Sequence, residues 1–83
     1  MDKITESAIV GQFRGWKKGR GYKLTNGDIW KQLDYVNKYN LDIISRPKAI
    51  IWKDGGKFYL EVEGMTDKVE VKKGSTFDLD DDY

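Results

Sequence analysis

Hydrophobic and polar residues alternate along much of the chain with a period of two, the spacing of a β-strand with one buried face. Phe58, Leu60 and Val62 alternate with polar or charged neighbours, and Val69 and Val71 repeat the pattern a few residues later. No window of eleven residues places apolar side chains at the spacing of one helical face. The pattern therefore predicts a chain built from β-strands.

Two short apolar runs indicate further strands. Residues 49–52 are apolar and β-branched at the centre, and they are bounded by Pro47 and by the pair Gly55-Gly56. Residues 8–13 form the second run, within which Gly11 predicts a bend or a bulge.

The pair Asn26-Gly27 predicts a β-hairpin, because both residues accept the positive φ that a two-residue type I′ turn requires. A loop of that length pairs Leu24 with Ile29 and Lys23 with Trp30, and opposed residues share one face of the sheet. We therefore expect Trp30 on the outer face with Lys23 and Gln32. The expected core residues of this hairpin are Tyr22, Leu24, Ile29 and Leu33.

A second hairpin is predicted at residues 53–57, and its register depends on the length of its loop. A three-residue loop places Trp52 opposite Phe58 and Ile50 opposite Leu60, whereas a two-residue loop buries Ile51 instead. We prefer the first register, because it gathers four large apolar side chains on one face. Residues 63–67 predict a third hairpin.

Residues 36–47 mix turn-forming Asn and Asp with isoleucines that require burial, so we expect one helical turn or an ordered loop over an open barrel end. The other segments amount to five or six short antiparallel strands. This predicts a small all-β domain over residues 1–73, an SH3-like barrel, with an OB-fold-like barrel as the alternative. Residues 74–83 are predicted to be an acidic, disordered tail.

The composition excludes several kinds of chemistry. The 83 residues contain no cysteine and no histidine, so the chain has no disulfide, no thiol nucleophile, no zinc–thiolate site and no histidine general base. Four aspartates within residues 78–82 lack the spacing of a complete Ca²⁺-binding loop. We therefore expect a protein that is not an enzyme and holds neither a cofactor nor a metal.

The sequence also bears on location. No stretch approaches the roughly 18 apolar residues that span a bilayer, and the first residues lack the basic and apolar regions of a signal peptide. The chain as written is predicted to be cytoplasmic and without a membrane partner. An exported protein trimmed of its signal peptide is the alternative.

The net charge of +1 conceals a strong separation of charge along the chain. Residues 14–23 contain five cations and no acid, whereas residues 74–83 contain four aspartates and no base. Cations interleaved with aromatic residues are typical of a surface that binds a negatively charged partner. The candidate binding residues are Arg14, Trp16, Lys17, Lys18, Arg20, Lys23 and Trp30.

We interpret the chain as a binding module that presents this basic, aromatic loop and its Trp face to an acidic protein or peptide. The alternative is single-stranded nucleic acid, with cations on phosphates, indoles on unpaired bases and the acidic tail competing for the loop. A solvated loop that only confers solubility, with Trp16 covering the core, also stays open, as does a structural module of a larger assembly. The oligomeric state is not indicated.

Two tryptophan motifs carry a resemblance to a known family. Residues 9–16 read I-x-G-x-F-x-G-W, and residues 24–32 read L-x-N-G-x-x-W-x-Q. This pattern resembles small, mostly uncharacterised bacterial β-barrel domains, related forms of which are C-terminal modules of short exported proteins. The resemblance extends from Ile9 to about Val71 and implies a small β-barrel without an established activity or site residue. The chain differs from the family in its basic segment, its acidic tail and the absence of an export segment.

Overall fold

The computed structural model describes residues 1–79, and for residues 39–43 it describes the backbone without the side chains. Over these residues the chain forms eight β-strands and one short 3₁₀ helix, which confirms the small all-β class. The strands are β1 (Asp2–Ala8), β2 (Gln12–Trp16), β3 (Gly21–Lys23), β4 (Ile29–Gln32), β5 (Lys38–Ser45), β6 (Lys48–Asp54), β7 (Lys57–Val62) and β8 (Lys68–Lys73). The 3₁₀ helix, Thr76–Asp78, follows β8.

The described strands form a six-stranded sheet of order β1-β6-β7-β8-β4-β3 and a two-stranded sheet of β2 and β5. All pairs are antiparallel. The large sheet curls until its two edges meet at a single bridge between Ile9 and Leu24. Hydrogen bonds from Val10 N to the Lys23 carbonyl and from Thr25 N to the Ala8 carbonyl, both 2.8 Å, flank the bridge. The barrel is thus joined at one point and is not closed by a continuous ladder.

The inner faces of both sheets supply one hydrophobic core. Leu60, Val62, Val69 and Val71 are buried, as the alternating pattern predicts. The core also contains Ile9, Phe13, Trp16, Tyr22, Leu24, Trp30, Ala49 and Ile51. Phe13, Trp16 and Tyr22 meet with Trp16 edge-on to both neighbours, at ring-centre distances of 5.0 and 5.5 Å. Edge-on contacts of this kind add to the free energy gained by burying aromatic area alone.

The register predicted for the first hairpin is wrong by one residue. Lys23 pairs with Ile29 and Tyr22 with Trp30, so Trp30 lies in the core, not on the outer face. A type I′ turn requires positive φ at both central residues, but Gly27 has φ 96° and Asn26 does not share this conformation. The Asn26 side chain instead accepts a hydrogen bond from Asp28 N at 2.9 Å, which stabilises a longer loop. The longer loop shifts the pairing by one residue.

The register preferred for the second hairpin is also wrong. Asp54 pairs with Lys57 across the two-residue loop, and Ile51 faces Leu60 with both side chains completely buried. Trp52 therefore lies on the outer face, where its indole Nε1 donates to Glu61 Oε1 at 2.7 Å. The packing of Ile51 against Leu60 in the core sets this register, because it leaves Trp52 on the opposite face of β6.

The helical turn or loop expected at residues 36–47 is wrong for most of that segment, which forms strand β5. Gln12 of β2 pairs with Ser45, and Phe13 pairs with Ile44. Gly11, with φ 77°, bends the chain between β1 and β2, as predicted. The bend sends β2 away from the large sheet, and β5 provides the hydrogen-bonding partner that β2 then needs. This second sheet and the separate strand β1 raise the strand count above the expected five or six.

Glu6 on β1 makes two ion pairs, one within β1 and one to β6. Lys3 Nζ lies 2.8 Å from Glu6 Oε1, and Lys48 Nζ lies 2.9 Å from Glu6 Oε2. Hydrogen bonds from Lys3 and then Lys48, together with their charges, lower the pKa of Glu6 to about 2. Because these side chains are exposed, the pairs orient the edge strand more than they stabilise it.

Candidate functional site

The turn between β2 and β3, residues 17–20, is the most basic segment of the surface and is called the basic turn here. Arg20 N donates to the Lys17 carbonyl at 3.1 Å, and Gly19 between them has φ 83°. A type II turn requires positive φ at its third position, which explains the glycine there. Lys17 and Lys18 are exposed at the tip of the turn, whereas Arg20 is buried.

Gln32 of β4 holds the basic turn in place, although its side chain is only 1% exposed. Its backbone carbonyl accepts from Gly19 N at 3.0 Å, and its backbone N donates to the Arg20 carbonyl at 2.9 Å. Its side-chain Oε1 accepts from Lys17 N at 3.1 Å and from the Tyr22 hydroxyl at 2.8 Å. Both ends of the turn are therefore fixed to one buried residue.

The same side chain reaches the loop that follows β4. Gln32 Nε2 donates to the Val36 carbonyl at 2.6 Å. Asp34 in this loop accepts a hydrogen bond from Glu70 N of β8 at 2.8 Å, which attaches the loop to the large sheet. A buried network in which each polar group has a partner makes the surrounding backbone rigid. The basic turn is thus presented on a rigid support.

A surface cavity of about 230 Å³ lies beside the basic turn. It is lined by Lys17, Lys18, Gly19, Arg20 and Asp78. Asp78 Oδ1 also lies 3.5 Å from Lys31 Nζ, which projects from the outer face of β4. The cavity therefore has cationic walls, with one carboxylate of the same chain at its edge.

The structure brings together three of the five cations proposed from the sequence, because Lys17, Lys18 and Arg20 all line the cavity. Arg14 lies on β2, where its Nη2 donates to Gln12 Oε1 at 3.4 Å. Lys23 is exposed at the end of β3, opposite Ile29. Neither of these two cations lines the cavity.

Both tryptophans proposed as binding residues are core residues. Trp16 is 2% exposed and Trp30 is 3% exposed. Trp30 packs against Phe58 at 5.3 Å between ring centres, and Lys73 Nζ lies 4.7 Å above its ring. The burial of Trp30 follows from the register of β3 and β4, which the sequence pattern did not determine, whereas Trp16 lies on β2 and packs against Phe13 and Tyr22. Neither indole contacts solvent as an aromatic face.

Sequence reasoning missed the exposed aromatic side chain beside the basic turn. Tyr35 is 80% exposed, and Lys18 Nζ lies 3.3 Å from the centre of its ring. A cation over an aromatic face is weakly attracted to it, so the pair holds one lysine of the turn in a defined direction. No local signal in residues 33–37 pointed to this pairing, because it depends on Gln32 joining the two loops.

The residues after β8 fold into a compact turn, residues 75–79, called the C-terminal turn here. Ser75 caps it by accepting from Phe77 N at 3.3 Å, and Asp78 Oδ2 accepts in return from Ser75 N at 2.8 Å. This reciprocal arrangement is a capping box. The hydrogen bond from Ser75 N, and then the charges of Lys31 and Lys72, lower the pKa of Asp78 against the opposing effect of its burial. The remainder of the predicted disordered tail, residues 80–83, lies outside the described residues.

Two further kinds of site are absent from residues 1–38 and 44–79, the part of the chain whose side chains the structure describes. This part of the chain contains no group of three or more carboxylates positioned to hold a metal ion. It also contains no helix long and apolar enough to cross a membrane.

Comparison with known proteins identifies no relative for this chain. No family model matches it, and neither does any curated protein or any solved structure. The resemblance suggested by the two tryptophan motifs therefore stays a prediction, and function has to be inferred from the basic turn and its cavity.

Proposed function

We propose that this protein is a non-enzymatic binding module whose cationic cavity takes an acidic segment of a partner protein. The observation that carries the proposal is the position of Asp78. Its carboxylate borders the cavity with Lys17, Lys18 and Arg20 and lies 3.5 Å from Lys31. The cavity thus already has one carboxylate of the chain's own C-terminal segment at its edge.

The architecture around the cavity favours recognition over solubility alone. A basic loop that served only as a solubilising surface would need no defined backbone, yet Gln32 anchors this turn at Lys17, Gly19 and Arg20. A pre-organised site loses less conformational entropy on binding, and complementary charge accelerates association and selects the partner.

The same geometry favours a peptide over single-stranded nucleic acid. Binding of unpaired bases relies on exposed aromatic faces along a cationic groove. The two indoles proposed to supply such faces, Trp16 and Trp30, are buried, and the exposed ring beside the basic turn, that of Tyr35, is already in contact with Lys18. A carboxylate-rich segment needs cations rather than aromatic faces, and the cavity provides Lys17, Lys18 and Arg20.

Fluorescence anisotropy with a labelled deca-aspartate peptide and the full-length protein at low salt tests the proposal. Reversing the charge of the exposed pair, Lys17→Glu with Lys18→Glu, is expected to weaken binding by about tenfold or more, because it places acids beside an acidic ligand. The matched control is Lys53→Glu with Lys57→Glu, which makes the same change of net charge on exposed lysines of the β6–β7 hairpin. The control is expected to change the dissociation constant by about twofold or less, because the change lies away from the cavity.

Two results would contradict the proposal. Equal loss of peptide binding in both double variants would show that net charge alone drives association. Tighter binding of a labelled oligodeoxythymidine of equal length, lost in the Lys17→Glu/Lys18→Glu variant, would assign the turn to nucleic acid instead.

A further inference from the structure

We infer that the C-terminal turn is a built-in competitor for the cationic cavity, so that an acidic partner binds only as this turn is displaced. The inference rests on the proposed function, since it concerns how that site is regulated. It is drawn from the way residues 75–79 are seated on β3 and β4, and from the weakness of what holds them there.

The C-terminal turn lies directly against the backbone of the sheet. A Cβ atom added to Gly21 of β3 would lie 2.9 Å from three atoms of Asp78, namely its backbone carbonyl carbon, its carbonyl oxygen and its Cβ. A Cβ added to Gly74 would lie 2.8 Å from Asp78 Oδ2. Because the atoms near Gly21 belong mainly to the backbone of Asp78, the turn can pack there only while residue 21 is a glycine, whereas the carboxylate near Gly74 can move aside.

The turn is self-contained and only lightly attached. Its hydrogen bonds run within residues 75–79, where Asp78 N donates to the Ser75 carbonyl at 2.9 Å and Asp78 Oδ2 accepts from Ser75 N. The ion pair to Lys31 is long and partly exposed, and such pairs contribute little to stability. Phe77, the largest apolar side chain of the turn, is 95% exposed and buries almost nothing. Leu79, the other apolar side chain of the turn, is only partly buried, so little apolar burial opposes displacement of the turn by a competing ligand.

A tethered competitor acts at high effective concentration, so it occupies the site in most molecules. The apparent affinity for an external ligand is then the intrinsic affinity multiplied by the fraction of molecules in which the site is open. The sequence continues with three more aspartates at residues 80–82. Their charge has the sign that an acidic partner would bring to the same cations. Full-length protein is therefore expected to bind an acidic peptide more weakly than the open cavity allows.

The test changes the glycine against which the C-terminal turn packs and leaves every cation in place. In Gly21→Ala the new methyl group forces the backbone of Asp78 away from β3, and Gly56→Ala is the matched control because a Cβ there has no neighbour within 4 Å. With the labelled deca-aspartate peptide, Gly21→Ala is expected to lower the dissociation constant by about three- to tenfold, and Gly56→Ala to leave it unchanged. Asp78→Asn removes the charge without adding bulk and is also expected to lower the dissociation constant. This second variant keeps the inference testable if Gly21→Ala does not fold.

An NMR readout separates the failure of this inference from the failure of the proposed function. Addition of the peptide to the wild type should move the Ser75 and Asp78 amide signals toward their positions in Gly21→Ala. Peptide binding with equal affinity in the wild type, Gly21→Ala and Asp78→Asn, and without movement of these signals, would overturn the competitor and leave the binding module standing. Absence of peptide binding in every variant, with the turn displaced or not, would overturn both.

Discussion

At the scale of single residues, the decisive side chain is a buried glutamine, Gln32. Its amide and backbone together fix the basic turn, the Tyr22 hydroxyl and the loop after β4. The outward position predicted for it was wrong because the predicted hairpin register was wrong. A polar residue in a core layer is explained only when the partners of its donors and acceptors are known, and those partners lie on three different loops and strands.

We predict that Gln32→Leu lowers the free energy of unfolding by about 2–3 kcal/mol, because it leaves the Tyr22 hydroxyl and the Val36 carbonyl without their buried partner. Tyr22→Phe is the control. It removes one hydroxyl but keeps the bond between Lys17 N and Gln32, so we expect a cost of about 1 kcal/mol. Urea unfolding followed by tryptophan fluorescence measures both. A Gln32→Leu cost no larger than that of Tyr22→Phe would show that the glutamine does not organise this region.

At the scale of the β-hairpins, alternation located the strands but left their register open. The alternating run at residues 58–62 and the apolar run at residues 49–52 were both expected as strands, and they lie within β7 and β6. The face that each strand buries depends on whether the loop has two or three residues, and both lengths fit the pair Gly55-Gly56. The choice was made by packing, since Ile51, Leu60 and their neighbours fill the core while Trp52 finds Glu61 outside.

The register predicts unequal costs for two adjacent isoleucines. Ile51→Ala creates a cavity at a completely buried position and is expected to cost about 2–5 kcal/mol, whereas Ile50→Ala on the outer face should cost about 1 kcal/mol or less. Thermal or urea unfolding of the two variants makes the comparison. The reverse order of costs would support the register with a three-residue loop.

At the scale of the whole molecule, closure of the large sheet depends on one point. Strands β1 and β3 are its two edges, and Ile9 and Leu24 join them by a single bridge. Sheet edges that stay unpaired are open to association with other chains, and the bridge protects one end of each. Leu24 is completely buried at this junction, so the core and the closure of the barrel depend on the same side chain.

Leu24→Ala is therefore expected to destabilise the protein by about 2–5 kcal/mol and to accelerate hydrogen exchange at Val10 N and Thr25 N, which flank the bridge. Val10→Ala is the neighbouring control, since Val10 is 48% exposed and a surface substitution costs about 0.5 kcal/mol or less. Normal protection of these two amides in Leu24→Ala would mean that the bridge is not what closes the barrel.

The candidate site was predictable only where it is contiguous in sequence. Lys17, Lys18 and Arg20 stand close together in the chain, so their clustering could be inferred without coordinates. Tyr35, Lys31 and Asp78 join them from three other segments, and nothing local indicates that these segments meet. Trp30 was assigned to the surface because its face depends on the hairpin register, which is a long-range property, and Trp16 because it stands among the cations of residues 14–23.

The sequence alone determined that the chain is all-β, where most strands and turns lie, and that positive and negative charge are segregated, because period-two alternation, glycine turns and charge runs are local features. The tertiary structure decided which face of each hairpin is buried, that residues 38–45 form a strand, and that Asp78 lies against the basic turn. Those outcomes depend on packing and hydrogen bonding between segments distant in the chain, and no local pattern encodes the energy of such contacts.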